Sequence, residues 1–128
     1  MAEFHEQIAF FDWIKIMRLN DQRYCLVVGF PFEGQMKVQF RVKQAKMGRP
    51  TGFPDIGILY PVKPYPGMFI EMKSKSGIYR KSQKTWKEAL QKAGYPVRLC
   101  RSSDEAIEIA KSYFNGTLEP ENKRSENE

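Results

Sequence analysis

Two connections rich in proline and glycine constrain the middle of this chain more than any other feature. Residues 48–54 contain two glycines and two prolines, and residues 61–67 contain three prolines and a glycine. Neither connection can continue a helix or a central strand, because proline lacks a backbone donor and glycine favours turns. The short apolar runs 56–60 and 68–73 that follow them are therefore predicted to be two strands.

The second of these strands carries two polar side chains on one face. Glu71 and Lys73 are two positions apart, so both project from the same side of the strand. Asp55 stands at the entry to the preceding strand, and pairing of the two strands would bring its carboxylate close to that of Glu71. Two carboxylates suit a hard divalent cation, and a neighbouring lysine can act on a water or a phosphate. This combination is typical of phosphodiester cleavage.

Each of these residues also has a purely structural interpretation. Asp55 could end a turn, and Glu71 with Lys73 could form a surface pair worth a fraction of a kcal/mol. The order of residues along the whole chain is what favours the catalytic interpretation over the structural one.

Apolar periodicity predicts the remaining elements. Residues 4–18 have apolar side chains at steps of three or four and are predicted to form a helix, and residues 24–30 a strand. Residues 35–47 alternate between apolar and basic side chains, which predicts a strand followed by a short helical or loop segment, with helix as the rival interpretation of the later part. Further predicted elements are a helix over 82–93 capped by Ser82, a strand over 97–100 and a final helix opened by a Ser102/Glu105 capping box.

The chain is expected to be a single domain over residues 1–116. Its 41% hydrophobic content is sufficient for one core. From residue 117 onward the sequence is almost entirely polar, and such a segment cannot repay its ordering entropy. Residues 117–128 are therefore predicted to be a disordered polar tail.

The charge of the chain favours a polyanionic partner. Lys and Arg number 21 against 15 Asp and Glu, a formal net charge of +6. Ten of these basic residues lie in two stretches on either side of the predicted site, which suggests contact with a phosphate backbone, although solvated surface charge is the alternative. They are Lys37, Arg41, Lys43, Lys46, Arg49, Lys75, Arg80, Lys81, Lys84 and Lys87.

Several classes of site and location are disfavoured. His5 is the only histidine and the two cysteines stand singly, so a zinc site and a Ser/His/Asp triad are not expected. No apolar run is long enough to span a bilayer and no signal segment opens the sequence, so we expect a soluble, intracellular protein without a membrane partner.

One ordered set of residues resembles a known family. The set is Glu6-Gln7, Glu33-Gly34, Gly52, Pro54-Asp55, Glu71-Met72-Lys73, Gln83, Trp86, Leu90 and Gly94-Tyr95. Over about residues 6–114 it resembles a stand-alone virus-type replication-repair nuclease (VRR-NUC) domain, a branch of the PD-(D/E)xK phosphodiesterase superfamily. The resemblance implies an α/β fold with a restriction-endonuclease-like core, in which helices flank a central mixed β-sheet.

The resemblance also implies roles for individual residues. Asp55 and Glu71, with the backbone carbonyl of Met72, would bind Mg²⁺ or Mn²⁺, and no organic cofactor is expected. Lys73 would orient or activate the attacking water, and Gln83 would orient the site or touch a phosphate. Glu6 is the candidate for a second cation or a water-mediated contact, and Glu33 is its rival.

Small stand-alone members of this family resemble Holliday-junction resolvases, which implies a homodimer that cleaves branched DNA at four-way junctions. Fused or monomeric relatives resemble flap-cleaving enzymes, so a flap or nicking nuclease is the first alternative. A catalytically silent DNA-binding module is the second alternative, and a protein that binds partners through apolar surface alone is the third. The resemblance to phage-borne members suggests a host cytoplasm as the location.

Overall fold

The computed structural model describes residues 3–30 and 37–121, with side chains described from His5 onward. Glu33 and the turn predicted around it lie outside the described residues. In chain order the elements are α1 (Glu3–Arg18), a 3₁₀ helix (Gln22–Leu26), β1 (Val27–Gly29), α2 (Val38–Lys46), β2 (Ile56–Ile58), β3 (Met68–Met72), α3 (Lys81–Lys92), β4 (Val97–Cys100) and α4 (Ser103–Phe114).

The four strands form one mixed sheet in the order β1-β2-β3-β4. Strand β2 is antiparallel to β1 and to β3, whereas β3 and β4 are parallel. Parallel neighbours need a crossover connection, and α3 provides it between β3 and β4. The central mixed sheet with flanking helices that the sequence predicted is confirmed.

The two faces of the sheet are covered by different helices. Met68, Ile70 and Met72 of β3 join one buried cluster with side chains of α1 and α4, including Phe10 and Tyr113. The alternate residues of β3 face the other way, toward α3. That second face therefore holds both the aromatic packing of α3 and the polar residues predicted to form the site.

Aromatic rings fill the α3 face below these polar residues. Phe53 makes edge contacts with Phe69 of β3 at 5.5 Å and with Trp86 of α3 at 5.2 Å between ring centroids. Tyr95 also contacts Phe69, at 5.5 Å between ring centroids. These contacts set the distance between α3 and the sheet, and therefore the distance between the inward side chains of α3 and β3.

The predicted strand over residues 24–30 is correct only in its later part. Its first part is the 3₁₀ helix, and only Val27–Gly29 pairs in the sheet. The Asp21 carboxylate accepts a hydrogen bond from the backbone of Arg23 at 3.0 Å and bonds its guanidinium as well. This local capping offers the backbone an alternative to strand pairing.

The predicted strand at the start of residues 35–47 is wrong where the structure describes it. The segment forms α2, so the rival helical interpretation of its later part is confirmed. No residue of α2 is buried. Alternation predicts a strand only where one of its two faces is buried, and here neither is.

The helix starts differ from prediction in detail. Helix α3 begins at Lys81, and the Gln83 side chain, rather than Ser82, accepts a hydrogen bond from the Arg80 backbone N–H at 2.8 Å. At α4 the Ser102 hydroxyl caps as predicted, accepting from the Glu105 N–H at 3.1 Å. The Glu105 carboxylate, however, accepts from the backbone of Arg101.

The segment 117–121, which the sequence assigned to the polar tail, contacts the rest of the protein. Leu118 packs against the core cluster, and the Glu119 carbonyl accepts a hydrogen bond from the Arg98 guanidinium at 2.9 Å. The Glu121 carboxylate pairs with Lys87 of α3. The segment thus crosses β4, which is the last strand of the sheet.

Among the described helices there is none with the length and apolarity needed to traverse a bilayer.

Candidate active site

Asp55 and Glu71 lie at the same end of the sheet, where β2 begins and β3 ends. Ile56 pairs with Ile70 in the register of the two strands, which sets Asp55 opposite Glu71 one step further on. Both residues are buried, at 5% and 4% exposure. The Asp55 Oδ2 accepts a hydrogen bond from the Met72 N–H at 2.9 Å, so Asp55 is attached directly to the strand that carries Glu71.

The backbone around Asp55 is held from three sides. Its carbonyl accepts hydrogen bonds from the Phe30 N–H at 2.7 Å and from the Gln7 side-chain amide of α1 at 3.5 Å. The loop before it passes so close to α3 that a Cβ on Gly52 would lie 2.6 Å from the backbone carbon of Ser82. The start of β2 is therefore anchored to β1, α1 and α3.

Glu71 is oriented by a hydrogen bond from Gln83 in the first turn of α3. The Gln83 Nε2 donates to Glu71 Oε2 at 2.7 Å, while its Oε1 accepts from the Arg80 backbone at 2.8 Å. Both ends of the amide are thereby occupied. The start of α3 and the end of β3 are tied together through this one buried side chain.

Lys73 completes the group of buried polar residues at this end of the sheet. It lies two residues after Glu71, so the alternation of β3 places its side chain on the same face, and it is 6% exposed. Its backbone N–H donates to the Cys100 carbonyl at 2.9 Å, which extends the pairing of β3 with β4. The structure therefore brings Asp55, Glu71, Lys73 and Gln83 together.

Arg101 holds the loop that follows Lys73, a role that the sequence did not predict. Its guanidinium donates to the carbonyls of Ser74 and Gly77, each at 2.7 Å. A single arginine after a strand has no local pattern that signals such a role, because its partners lie in another connection of the chain.

The donor set suits a hard cation. Residues 3–30 and 37–121 contain no cluster of three or more His, Cys, Asp or Glu side chains arranged for a metal. Mg²⁺ commonly binds through one or two carboxylates and keeps several waters, so Asp55 and Glu71 with a backbone carbonyl fit it. The Gln7 Oε1 beside Asp55 is buried without a hydrogen-bond partner, and such an acceptor suits a hydrated ion.

The structure places Glu6 at the N-terminus of α4. Its Oε1 accepts a hydrogen bond from the Ser103 N–H at 2.7 Å. Its neighbour Gln7, which the sequence marked only as part of the family pattern, is the α1 residue that contacts Asp55. These two neighbours on α1 therefore have different surroundings: Glu6 contacts the start of α4, and Gln7 contacts Asp55.

The predicted basic residues fall into three groups. Lys37, Lys43 and Lys46 are exposed on or beside α2, with Arg41 and Arg49 partly buried, and Lys75, Arg80, Lys81 and Lys84 are exposed around the start of α3. The structure corrects the prediction that Lys87 is one of the residues facing a phosphate backbone, because its side chain is buried. It is 6% exposed, pairs with Glu121 and lies 5.2 Å from the centre of the Tyr79 ring. Its position on the inward side of α3 explains the difference.

Comparison with known proteins places the chain in a family. A family model described as the VRR-NUC domain matches residues 16–104, more than half of the chain, a span that includes Asp55, Glu71, Lys73 and Gln83 but not Glu6. No curated protein matches the chain significantly. A solved structure described as a VRR_NUC domain protein has a TM-score of 0.73 at 24% identity, covering 90% of this chain and 89% of that chain. That likeness shows a shared fold.

Proposed function

Since the chain belongs to the VRR-NUC domain family, we propose that it is a metal-dependent DNA endonuclease that hydrolyses phosphodiester bonds in branched DNA. The observation that carries the proposal is the pair of hydrogen bonds that fixes the two carboxylates. Met72 N–H holds Asp55 at 2.9 Å and the Gln83 amide holds Glu71 at 2.7 Å. Two buried carboxylates fixed beside a lysine are costly to maintain for structure alone.

The chemistry follows from these residues. Asp55, Glu71 and the Met72 carbonyl would hold Mg²⁺ or Mn²⁺, which when bound lowers the pKa of water and stabilises charge on the oxygens of an in-line displacement. Lys73 orients the attacking water and offsets negative charge that develops on the phosphate. Gln83 keeps Glu71 in its orientation through the Arg80 backbone.

A second cation or a water-mediated contact is proposed for Glu6, with Glu33 as its rival. Because Glu6 Oε1 is bonded to Ser103, this role falls to Oε2. Because Glu6 also contacts the start of α4, the stability of the protein reports on this residue independently of any metal.

The exposed basic residues support a DNA partner. Lys81 and Lys84 stand in the first turns of α3, next to Gln83, so DNA phosphates that approach the site would meet them. Such contacts release counterions, and affinity should therefore fall steeply with added salt. The cytoplasm of the host cell is the proposed location.

Exposed apolar side chains support a homodimer. Ile8 and Ile16 of α1 and Leu19 after it are 54%, 60% and 83% exposed, and Val38 and Phe40 of α2 are also exposed. Apolar surface of this extent is typical of interaction sites. Two copies with two sites could cut both strands of a four-way junction.

The test is cleavage of a labelled, immobile four-way junction beside a flap substrate, with Mg²⁺, Mn²⁺ or chelator. We expect paired symmetric nicks in the junction that need the cation, and loss of at least about 100-fold in rate for Lys73→Ala. Lys92→Ala, exposed at the opposite end of α3 from Gln83 and outside the set of predicted DNA contacts, is the matched control and should keep the cleavage rate.

Other outcomes separate the alternatives. Cleavage confined to the flap would replace junction resolution with flap activity. Tight, salt-sensitive binding without cleavage in any metal would show a catalytically silent DNA-binding module and overturn the roles of Asp55, Glu71 and Lys73.

A further inference from the structure

Tyr79 buries a hydroxyl that finds no partner in the described part of the chain. The residue is 9% exposed, and its hydroxyl oxygen makes no hydrogen bond. Tyr113, also buried, shows the usual arrangement: its hydroxyl donates to the Tyr60 carbonyl at 2.7 Å and accepts from Val62 N–H at 3.2 Å. A buried hydroxyl without a partner lowers stability, so its presence calls for an explanation.

The Tyr79 ring packs against the inward side of α3, close to the residue that orients Glu71. The Lys87 ammonium is 5.2 Å from the ring centre. Lys87 follows Gln83 by one helical turn on the inward side of α3, and Gln83 bonds Glu71. The ring is thus next to the stretch of α3 that orients a carboxylate of the site.

The charges around the phenol keep it protonated. Burial, followed by the negative charges of Glu71 and Glu121, raises the pKa of Tyr79 well above its ordinary value. A phenol that holds its proton can donate a hydrogen bond throughout the neutral range. The Lys87 cation over the ring face stabilises the aromatic ring in this position.

We propose that Tyr79 is a positioning residue of the metal site, whose hydroxyl would donate a hydrogen bond to a water of the divalent cation that Asp55 and Glu71 would hold. The inference rests on the proposed function, since it needs a cation at Asp55 and Glu71. It explains why a hydroxyl is kept where a phenylalanine would fill the same space without the desolvation cost.

Tyr79→Phe tests the proposal, because it removes the hydroxyl and keeps the ring. We expect the variant to bind Mn²⁺ at least about tenfold more weakly by titration calorimetry, the size of effect seen when outer hydrogen bonds around metal ligands are lost. The metal-free variant should melt a few degrees higher than the wild type, because an unsatisfied buried group is gone.

Tyr113→Phe is the matched control. It removes the hydrogen bond to the Tyr60 carbonyl and one of the two bonds of the Val62 N–H, which also donates to the Tyr65 carbonyl at 3.0 Å, so it should melt lower than the wild type and bind Mn²⁺ unchanged. Opposite shifts in melting temperature, with metal affinity lost in one variant alone, are the result expected of a hydroxyl kept for the site.

Three outcomes would overturn the inference. If Tyr79→Phe binds Mn²⁺ as the wild type does, Tyr79 has no part in the site, while the proposed nuclease stands. If the variant melts lower, the hydroxyl has a structural partner. If the wild type takes up no Mn²⁺ and cleaves no DNA, the proposed function fails and the inference falls with it.

Discussion

The Glu6 carboxylate sits where a helix start favours negative charge. Its Oε1 accepts from the Ser103 N–H, one of the backbone donors that α4 cannot satisfy within its own helix. The partial positive charge at the N-terminus of α4 adds to the attraction. This role is independent of any metal and belongs to a single side chain, so it can be measured separately.

We expect Glu6→Ala to lower the free energy of unfolding by about 1 kcal/mol, because the Ser103 donor and the helix dipole lose their partner. Glu6→Gln should recover part of this loss, since its amide oxygen can still accept. Urea unfolding in the presence of chelator measures both. Two variants as stable as the wild type would contradict the capping role, and lost Mn²⁺ affinity in Glu6→Gln would add a metal role to it.

At the residue scale, four residues that the sequence singled out are buried at one end of the sheet. Asp55, Glu71 and Lys73 could be selected from the alternation and pairing expected of two strands, and Gln83 from the family resemblance. The contacts of Arg101, Gln7 and Tyr79 could not be predicted, since each depends on packing between segments far apart in sequence.

At the scale of elements, the close approach of the residue 48–54 loop to α3 positions Asp55. Gly52 has a φ of +89° and faces the Ser82 backbone at a distance that no Cβ can occupy. Gly48, in the same loop, has a φ of +104°, but a Cβ at this position would meet nothing within 4 Å. Substitutions at these two glycines therefore separate the cost of backbone strain from the cost of steric contact.

Gly52→Ala is expected to lower the free energy of unfolding by about 3 kcal/mol, from left-handed strain and overpacking together. Gly48→Ala should cost about 1 kcal/mol, from strain alone. Chemical denaturation of the two variants side by side is the measurement. Equal losses would show that the loop can move away from α3, and that this contact does not hold Asp55 in place.

Elements with at least one buried face were the predictable ones, and elements without a buried face were not. The strands β2, β3 and β4 and the helices α1 and α4 follow their apolar patterns. Helix α2 has no buried residue, so its alternation carried no information about a core. The 3₁₀ helix depends on the Asp21 side chain, a local contact that competes with strand pairing.

At the scale of the whole molecule, the segment 117–121 links α3 to the far side of the sheet. Glu121 bonds Lys87 and Gln91 of α3, while Arg98 of β4 holds the Glu119 carbonyl. Burial is the largest influence on Lys87 and lowers its pKa, although Glu121 acts in the opposite direction. The segment thus contributes a counter-charge to a buried cation.

We expect Glu121→Gln to lower the free energy of unfolding by about 1–2 kcal/mol at neutral pH, because the Lys87 ammonium loses that charge. Since the pKa of Lys87 is lower in the folded state, the folded protein releases this proton first, and the contribution of Lys87 to stability rises as alkaline pH passes through that interval. Tyr24, Tyr79, Tyr113 and Cys100 have raised pKa values and act in the opposite direction in both proteins, so the test is the difference between them. The stability deficit of the variant should shrink at alkaline pH, and an equal deficit in thermal melts at neutral and alkaline pH would contradict this.

The fold class was predictable from the sequence because two buried strands and a crossover helix leave few arrangements open. The contacts of residues 118–121 were not, because their composition is polar and their partners are dispersed over β4, α3 and the core. A single apolar residue, Leu118, marks the segment in the sequence.

The central claim is that Asp55 and Glu71 act as one metal-binding unit in phosphodiester cleavage. The most direct measurement is the single-turnover cleavage rate in Mn²⁺ for the wild type, Asp55→Asn, Glu71→Gln and the double variant. We expect each single variant to lose at least about 1,000-fold and the double variant to be no slower, because residues that act as a unit are not additive. Wild-type rates in either single variant, or small losses that simply add in the double variant, would contradict the claim.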